Sequence, residues 1–88
     1  MTKPDDDYVL INSSLSGEFR RDGVSVEVQI YRGEDDNFWI LEVVDQAGNS
    51  YLWEEQFTSD ELAMKEFVTS VEKGGIKQYN PYFKQRVH

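Results

Sequence analysis

Glu42, Glu54 and Glu55 are the side chains whose type and spacing come nearest to chemistry. They fall on neighbouring stretches of strand-like sequence. Two carboxylates across a sheet can divide acid and base roles or hold a metal ion. The loop at residues 33–37, Gly-Glu-Asp-Asp-Asn, gathers oxygen ligands of the kind a hard cation such as calcium takes. It lacks the alternating ligand spacing and closing bidentate glutamate of an EF-hand loop. Seventeen acids in 88 residues make carboxylate pairs unavoidable. A cross-strand ion pair with Arg20, Arg21 or Arg32 accounts for them without a reaction.

The missing residue types are as informative. The single histidine is His88, and there is no cysteine. That removes Ser/His and Cys/His nucleophile pairs, thiolate metal sites and the side chain best suited to proton transfer near neutral pH. We therefore expect no catalytic residue, no cofactor and no metal, and read the chain as a non-enzyme.

The net charge is −8. Nucleic acid and anionic lipid both reward lysine and arginine, so this balance argues against either as a general partner. The charge is also uneven. All 17 acids and five of the nine bases lie in residues 1–72, a net −12. Lys73, Lys77, Lys84 and Arg86, with no acid among them, give residues 73–88 a net +4. Such a tail can fold back on its own sheet or dock on another subunit. Residues 1–7 are acidic, and the apolar run at residues 8–11 is too short for a secretory h-region. No stretch approaches the ~20 apolar residues of a membrane span. With cysteine absent, the cytoplasm is the expected location.

The elements that would position these groups follow from periodicity. Residues 1–14 read as a flexible acidic segment with a short edge strand near residues 8–11. Residues 15–21 alternate and lead into Asp22-Gly23, which suits the positive φ angles of a type I′ turn. Val24, Val26, Val28 and Ile30 then alternate with Ser25, Glu27, Gln29 and Tyr31, giving one buried and one wetter face. Residues 38–44 are apolar at nearly every position apart from Glu42, as in a central strand covered on both faces. Residues 50–57 alternate again.

At Thr58-Ser59-Asp60-Glu61 the period changes. Thr58 is the expected cap of a capping box, with Phe57 and Leu62 as its hydrophobic staple. Leu62, Ala63, Phe67, Val68 and Val71 form a helical stripe. The helix ends at Gly74-Gly75, with Gly74 expected in the left-handed cap. The predicted fold is α+β: a four-stranded antiparallel β-meander and one C-terminal helix packed on one sheet face. The ββββα domain spans residues 15–76, and residues 77–88 form a basic, aromatic tail.

One helix covers one face. Trp39, Leu41 and Val43 point opposite to Phe38, Ile40 and Val44, so one set lies off the covered side and marks an interaction surface. The expected interface residues are Trp39, Leu41, Val43, Trp53, Tyr79, Tyr82 and Phe83. The order of four meander strands and a helix is similar to that of single-strand-DNA-binding coactivator domains, by topology alone. The lysine and arginine richness of those domains is missing here. The leading expectation is a small non-catalytic binding or assembly domain that forms a homodimer or meets a protein partner. The alternatives are an acidic decoy of a basic protein, carried by Glu34, Asp35, Asp36, Glu54, Glu55, Asp60 and Glu61, and single-stranded nucleic-acid binding on the sheet face.

Overall fold

Asp22 and Gly23 adopt φ angles of 54° and 80°, as a type I′ turn requires. They fold β2 (Gly17–Arg21) back on β3 (Val24–Gly33) in antiparallel register, Arg21 opposite Val24 and Gly17 opposite Val28. The structure is a computed structural model, and it describes residues 9–81. β3 is the longest strand, and its Val24, Val26, Val28 and Ile30 are all buried. β4 (Ile40–Val44) and β5 (Ser50–Leu52) continue the antiparallel order beyond it. β1 (Leu10–Asn12) pairs with the far end of β3, on the same edge as β2. The short apolar run near the N-terminus therefore does join the sheet through Leu10–Asn12.

Both edges of the sheet are broken in the same way. On one edge the register steps from Asn12 opposite Tyr31 to Gly17 opposite Val28, which leaves two extra residues in the edge strand. The Ser16 hydroxyl fills the gap: it accepts from the Ile30 amide at 3.0 Å and donates to the Ile30 carbonyl at 3.2 Å. On the other edge, the Trp53 amide donates to the Leu41 carbonyl, yet Trp39 bridges to Phe57, again with two extra residues. Such bulges blunt edges that would otherwise invite another strand.

α1 (Asp60–Gly74) crosses one face of the sheet. Ala63, Phe67 and Val71 are its buried stripe, with Met64 and Val68 partly buried beside them. They meet Val24, Val26, Val28, Ile30, Leu41 and Val43. The Phe67 ring stands edge-on to Phe19 at 5.0 Å and near Tyr79 at 6.0 Å. A single 3₁₀ turn (Ile76–Tyr79) then closes the core with Ile76 and Tyr79. The result is an antiparallel sheet followed by one C-terminal helix, the α+β arrangement the sequence predicts.

Three local expectations are corrected. Ser59, not Thr58, caps α1: its hydroxyl accepts from the Leu62 amide at 3.1 Å. Phe57 and Trp39 exchange two backbone hydrogen bonds, of 2.7 and 3.0 Å, and this bridge fixes the backbone immediately before the helix. The staple is lost with the shift, and Leu62 is exposed. At the other end Gly75 takes the positive φ (79°), while Gly74 stays helical. With φ 79° and ψ 153°, Gly75 occupies a region open essentially to glycine alone. Gly75→Ala is accordingly expected to cost about 1–3 kcal/mol, read as a lower urea midpoint at unchanged m-value. Finally, β4 is covered on one face only: Leu41 and Val43 are buried, whereas Ile40, Glu42 and Val44 are half-buried. Among the described residues α1 packs on one of the two faces.

Candidate interaction surface

The face of the sheet away from α1 is built by strand alternation. β3 contributes Ser25, Glu27, Gln29 and Tyr31, and register places Val44, Glu42 and Ile40 beside the last three. β2 adds Glu18 opposite Glu27, and β5 adds Leu52 opposite Glu42. At the β1 end, Leu10 lies opposite Gly33. Phe38 and Ile40 line a shallow hollow of about 310 Å³ together with Asp35, Asp36, Asn37 and Gln56. The face is thus graded. One end carries the apolar and aromatic side chains (Leu10, Tyr31, Phe38, Ile40, Leu52), with Asp35 and Asp36 at its rim, and the other carries Glu18 and Glu27. Leu10, Phe38 and Leu52 are 52%, 46% and 61% exposed.

The polar groups on this face hold one another. The Tyr31 hydroxyl donates to Glu42 Oε1 at 2.8 Å, and Ser50 donates to Glu42 Oε2. Burial, then the hydrogen bond and charge of Glu42, push the Tyr31 hydroxyl up to about pH 12. The phenol therefore stays a donor throughout the neutral and mildly alkaline range. Glu42→Gln is expected to bring the Tyr31 titration down but leave it above the ordinary value of about 10, because burial remains; phenolate absorbance against pH reads this directly. At the acidic end, Ser25 donates to Glu18 Oε2, and Arg20 pairs with the same oxygen at 3.1 Å. Together they hold the Glu18 carboxyl below its ordinary value. The Arg20–Glu18 pair is solvent-exposed and adds little to stability.

The structure divides the expected interface residues. Leu41, Val43 and Tyr79 are enclosed in the chain's own core beneath α1 and the 3₁₀ turn, so no partner reaches them on the open face. Trp39 is half-buried on that covered side, with the Arg32 guanidinium 5.1 Å from its ring centre. Trp53 is half-buried too, and its indole N–H donates to Glu66 at 3.2 Å. Tyr82 and Phe83 lie outside the described residues. The residues that do line the open face, Phe38, Ile40 and Val44, carry the opposite parity. The signal for them was Glu42: a charged residue inside an apolar run faces water, and Ile40 and Val44 share its side of the strand.

The expected chemistry resolves in the same way. Glu42 lies in the hydrogen bonds just described, while Glu54 and Glu55 are exposed beyond β5. Among the described residues no group of three or more Asp, Glu, His or Cys side chains is placed to hold a metal. The acidic loop at 33–37 already has a cation at its carbonyls: Arg32 Nη1 donates to Gly33, Glu34 and Asp36 at 3.0–3.1 Å. Among the described residues no helix is long and apolar enough to cross a membrane. Comparison of the chain with family models, curated proteins and solved structures gave no match to any of them.

Proposed function

We propose that this chain is a small, non-catalytic binding or assembly domain of the cytoplasm that self-associates through the open face of its sheet. One observation carries the reading. Among the described residues α1 is spent on one face, and the other keeps Leu10, Phe38 and Leu52 exposed beside half-buried Tyr31, Ile40 and Val44. Contiguous apolar surface rimmed by charge is characteristic of contact surfaces, and twofold pairing is the commonest way for a chain to cover it. An offset overlap about a twofold axis would stack the apolar ends and leave Glu18 and Glu27 of each copy pointing apart.

The test is the double variant Phe38→Ser, Leu52→Ser. Both side chains are largely exposed, so the fold should hold. Loss of two central apolar contacts is expected to weaken a dimer by at least 30-fold, about 2 kcal/mol. An unchanged dissociation constant by analytical ultracentrifugation would place the contact elsewhere.

A second reading has its own support. Glu34, Asp35, Glu54, Glu55 and Glu61 are all exposed, and together they would suit a basic protein. Asp60 is different: one of its oxygens accepts from the Ser13 hydroxyl at 2.7 Å, tying the helix start to the sheet edge. A contact made by exposed acids should fade as added salt brings the Debye length to about 3 Å, whereas an apolar dimer should persist.

A further inference from the structure

The outer edge of β2 is a second surface, distinct from the open face. Residues 17–21 run without interruption between the register step at residues 13–16 and the Asp22-Gly23 turn. Arg21 and Val24 flank a two-residue turn, so they form the first hydrogen-bonded pair of the hairpin. Alternation gives the next such pairs to Phe19 with Val26 and Gly17 with Val28. The amides and carbonyls of Glu18 and Arg20 are thereby turned outward. Among the described residues no strand pairs with β2 on that side. Such an edge is a template for another strand, and its charges decide which strand it accepts.

These charges complement a second copy of β2 in one register. Outward-turned residues meet as hydrogen-bonded pairs, so two antiparallel copies can set Glu18 against Glu18, Arg20 against Arg20, or Glu18 against Arg20. The first two place like charges directly opposite, which is destabilising. The third makes the Glu18–Arg20 pair twice, each exchanging two backbone hydrogen bonds, with Phe19 beside Phe19 on the twofold axis. It also answers an imbalance within the chain. Glu18 lies opposite Glu27 of β3, and the second copy's Arg20 would set a cation on its other side. In this register Arg21 falls opposite Gly17, where nothing lies within 4 Å of the position a side chain would start from, so the Arg21 stem has room. We propose that the β2 edge is a self-pairing surface, joining two copies antiparallel through Glu18 and Arg20 into one continuous sheet. The twofold axis is normal to the sheet, so both α1 helices stay on one side and both open faces on the other. Phe38, Ile40 and Leu52 take no part, and the edge contact stands or falls independently of the face contact. It is small, with an expected dissociation constant of about 0.1–1 mM, so it forms in concentrated protein and is lost at micromolar dilution.

Sedimentation equilibrium up to about 2 mM tests it, on the full-length chain carrying Phe38→Ser and Leu52→Ser so that the face contact does not contribute. Glu18 and Arg20 are exposed, so reversing either charge should leave the fold intact. Arg20→Glu and Glu18→Arg should each weaken association at least ten-fold, because each sets like charges opposite. An equal mixture of the two variants should associate as the parent does, since one chain then offers two acids and the other two bases. Exchange of the Glu18 and Arg20 amides in the parent should slow at least two-fold over the same concentration range. In the chain with its open face intact, the same reversals should remove only the mass gained above that of a micromolar solution. A mass of one copy throughout the range would overturn the proposal. Single reversals that associate as tightly as the parent, or a mixture that stays monomeric, would overturn it as well.

Discussion

Phe67→Ala is expected to leave little folded protein at 25 °C. The Phe67 side chain is fully buried, 0% exposed, at the centre of α1. It is also where three elements meet: its ring touches Phe19 of β2 and Tyr79 of the 3₁₀ turn while its backbone belongs to α1. Deleting a buried phenylalanine costs about 3–5 kcal/mol through lost transfer energy and the cavity left behind. A chain of this size has total stability of only a few kcal/mol, with no disulfide to add to it. The two magnitudes are comparable, so the folded fraction should collapse. Urea unfolding followed by circular dichroism would show the pre-transition baseline lost or nearly so. Val68→Ala, on a half-buried neighbour, should cost no more than about 1 kcal/mol and lower the midpoint only modestly. Similar midpoints for both variants would mean that α1 does not pack through the Phe67 stripe.

Asp45→Ala is the second large effect. Asp45 is 5% exposed and carries the β4–β5 connection on its carboxylate. Oδ1 accepts from the amides of Ala47 and Asn49, both at 2.9 Å. Oδ2 accepts from Asn49 Nδ2 at 3.1 Å and from the Tyr51 hydroxyl at 2.9 Å. Alanine would strand two backbone amides and the Tyr51 hydroxyl together. We expect about 3 kcal/mol of lost stability, the scale of removing charge-assisted hydrogen bonds from a buried acceptor. Asp45→Asn should lose less, because one side-chain oxygen can still accept.

The same carboxylate sets a pH dependence. Burial alone would raise the Asp45 carboxyl, but the Asn49 amide and side chain, the Tyr51 hydroxyl and the Ala47 amide outweigh it and hold it below its ordinary value. A carboxyl with a lower pKa folded than unfolded adds stability above the unfolded value of about 3.9, and that stability drains away as pH falls through the folded value. The parent should therefore weaken below about pH 4, and Asp45→Asn should show a shallower acid limb. Parallel acid limbs in the two proteins would rule out Asp45 as the cause.

The parts of the fold written in strong local signals were legible. Asp22-Gly23 needs positive φ at both positions and adopts it. The valines of β3 share a parity and are all buried. Ala63, Phe67 and Val71 keep helical spacing and face the sheet. The errors lie where a tertiary contact moves a local preference by one residue. Thr58 and Ser59 are both competent caps, and the Trp39–Phe57 bridge, remote in sequence, accompanies the choice of Ser59. Gly74 and Gly75 are both competent terminators, and the chain uses the second.

The interaction surface failed for a different reason. Leu41 and Val43 look no more buried in sequence than Ile40 and Val44. Their side is decided by the face on which α1 lands. Glu42 held that information, and its parity, taken with the polar residues of β3, would have placed the open face on Ile40 and Val44. The extra residues in both edge strands left no comparable trace, because a two-residue step in register is invisible until the partner strand is known.

The central claim is that the open sheet face is where this chain meets a second copy. Solution mass by light scattering behind size exclusion, on the full-length chain at low salt and at about 1 M salt, tests it most directly. The account predicts twice the chain mass of 10.3 kDa at both salt concentrations, since burial of Leu10, Phe38, Ile40 and Leu52 is not screened by ions. A mass of one chain at every concentration tried would contradict it.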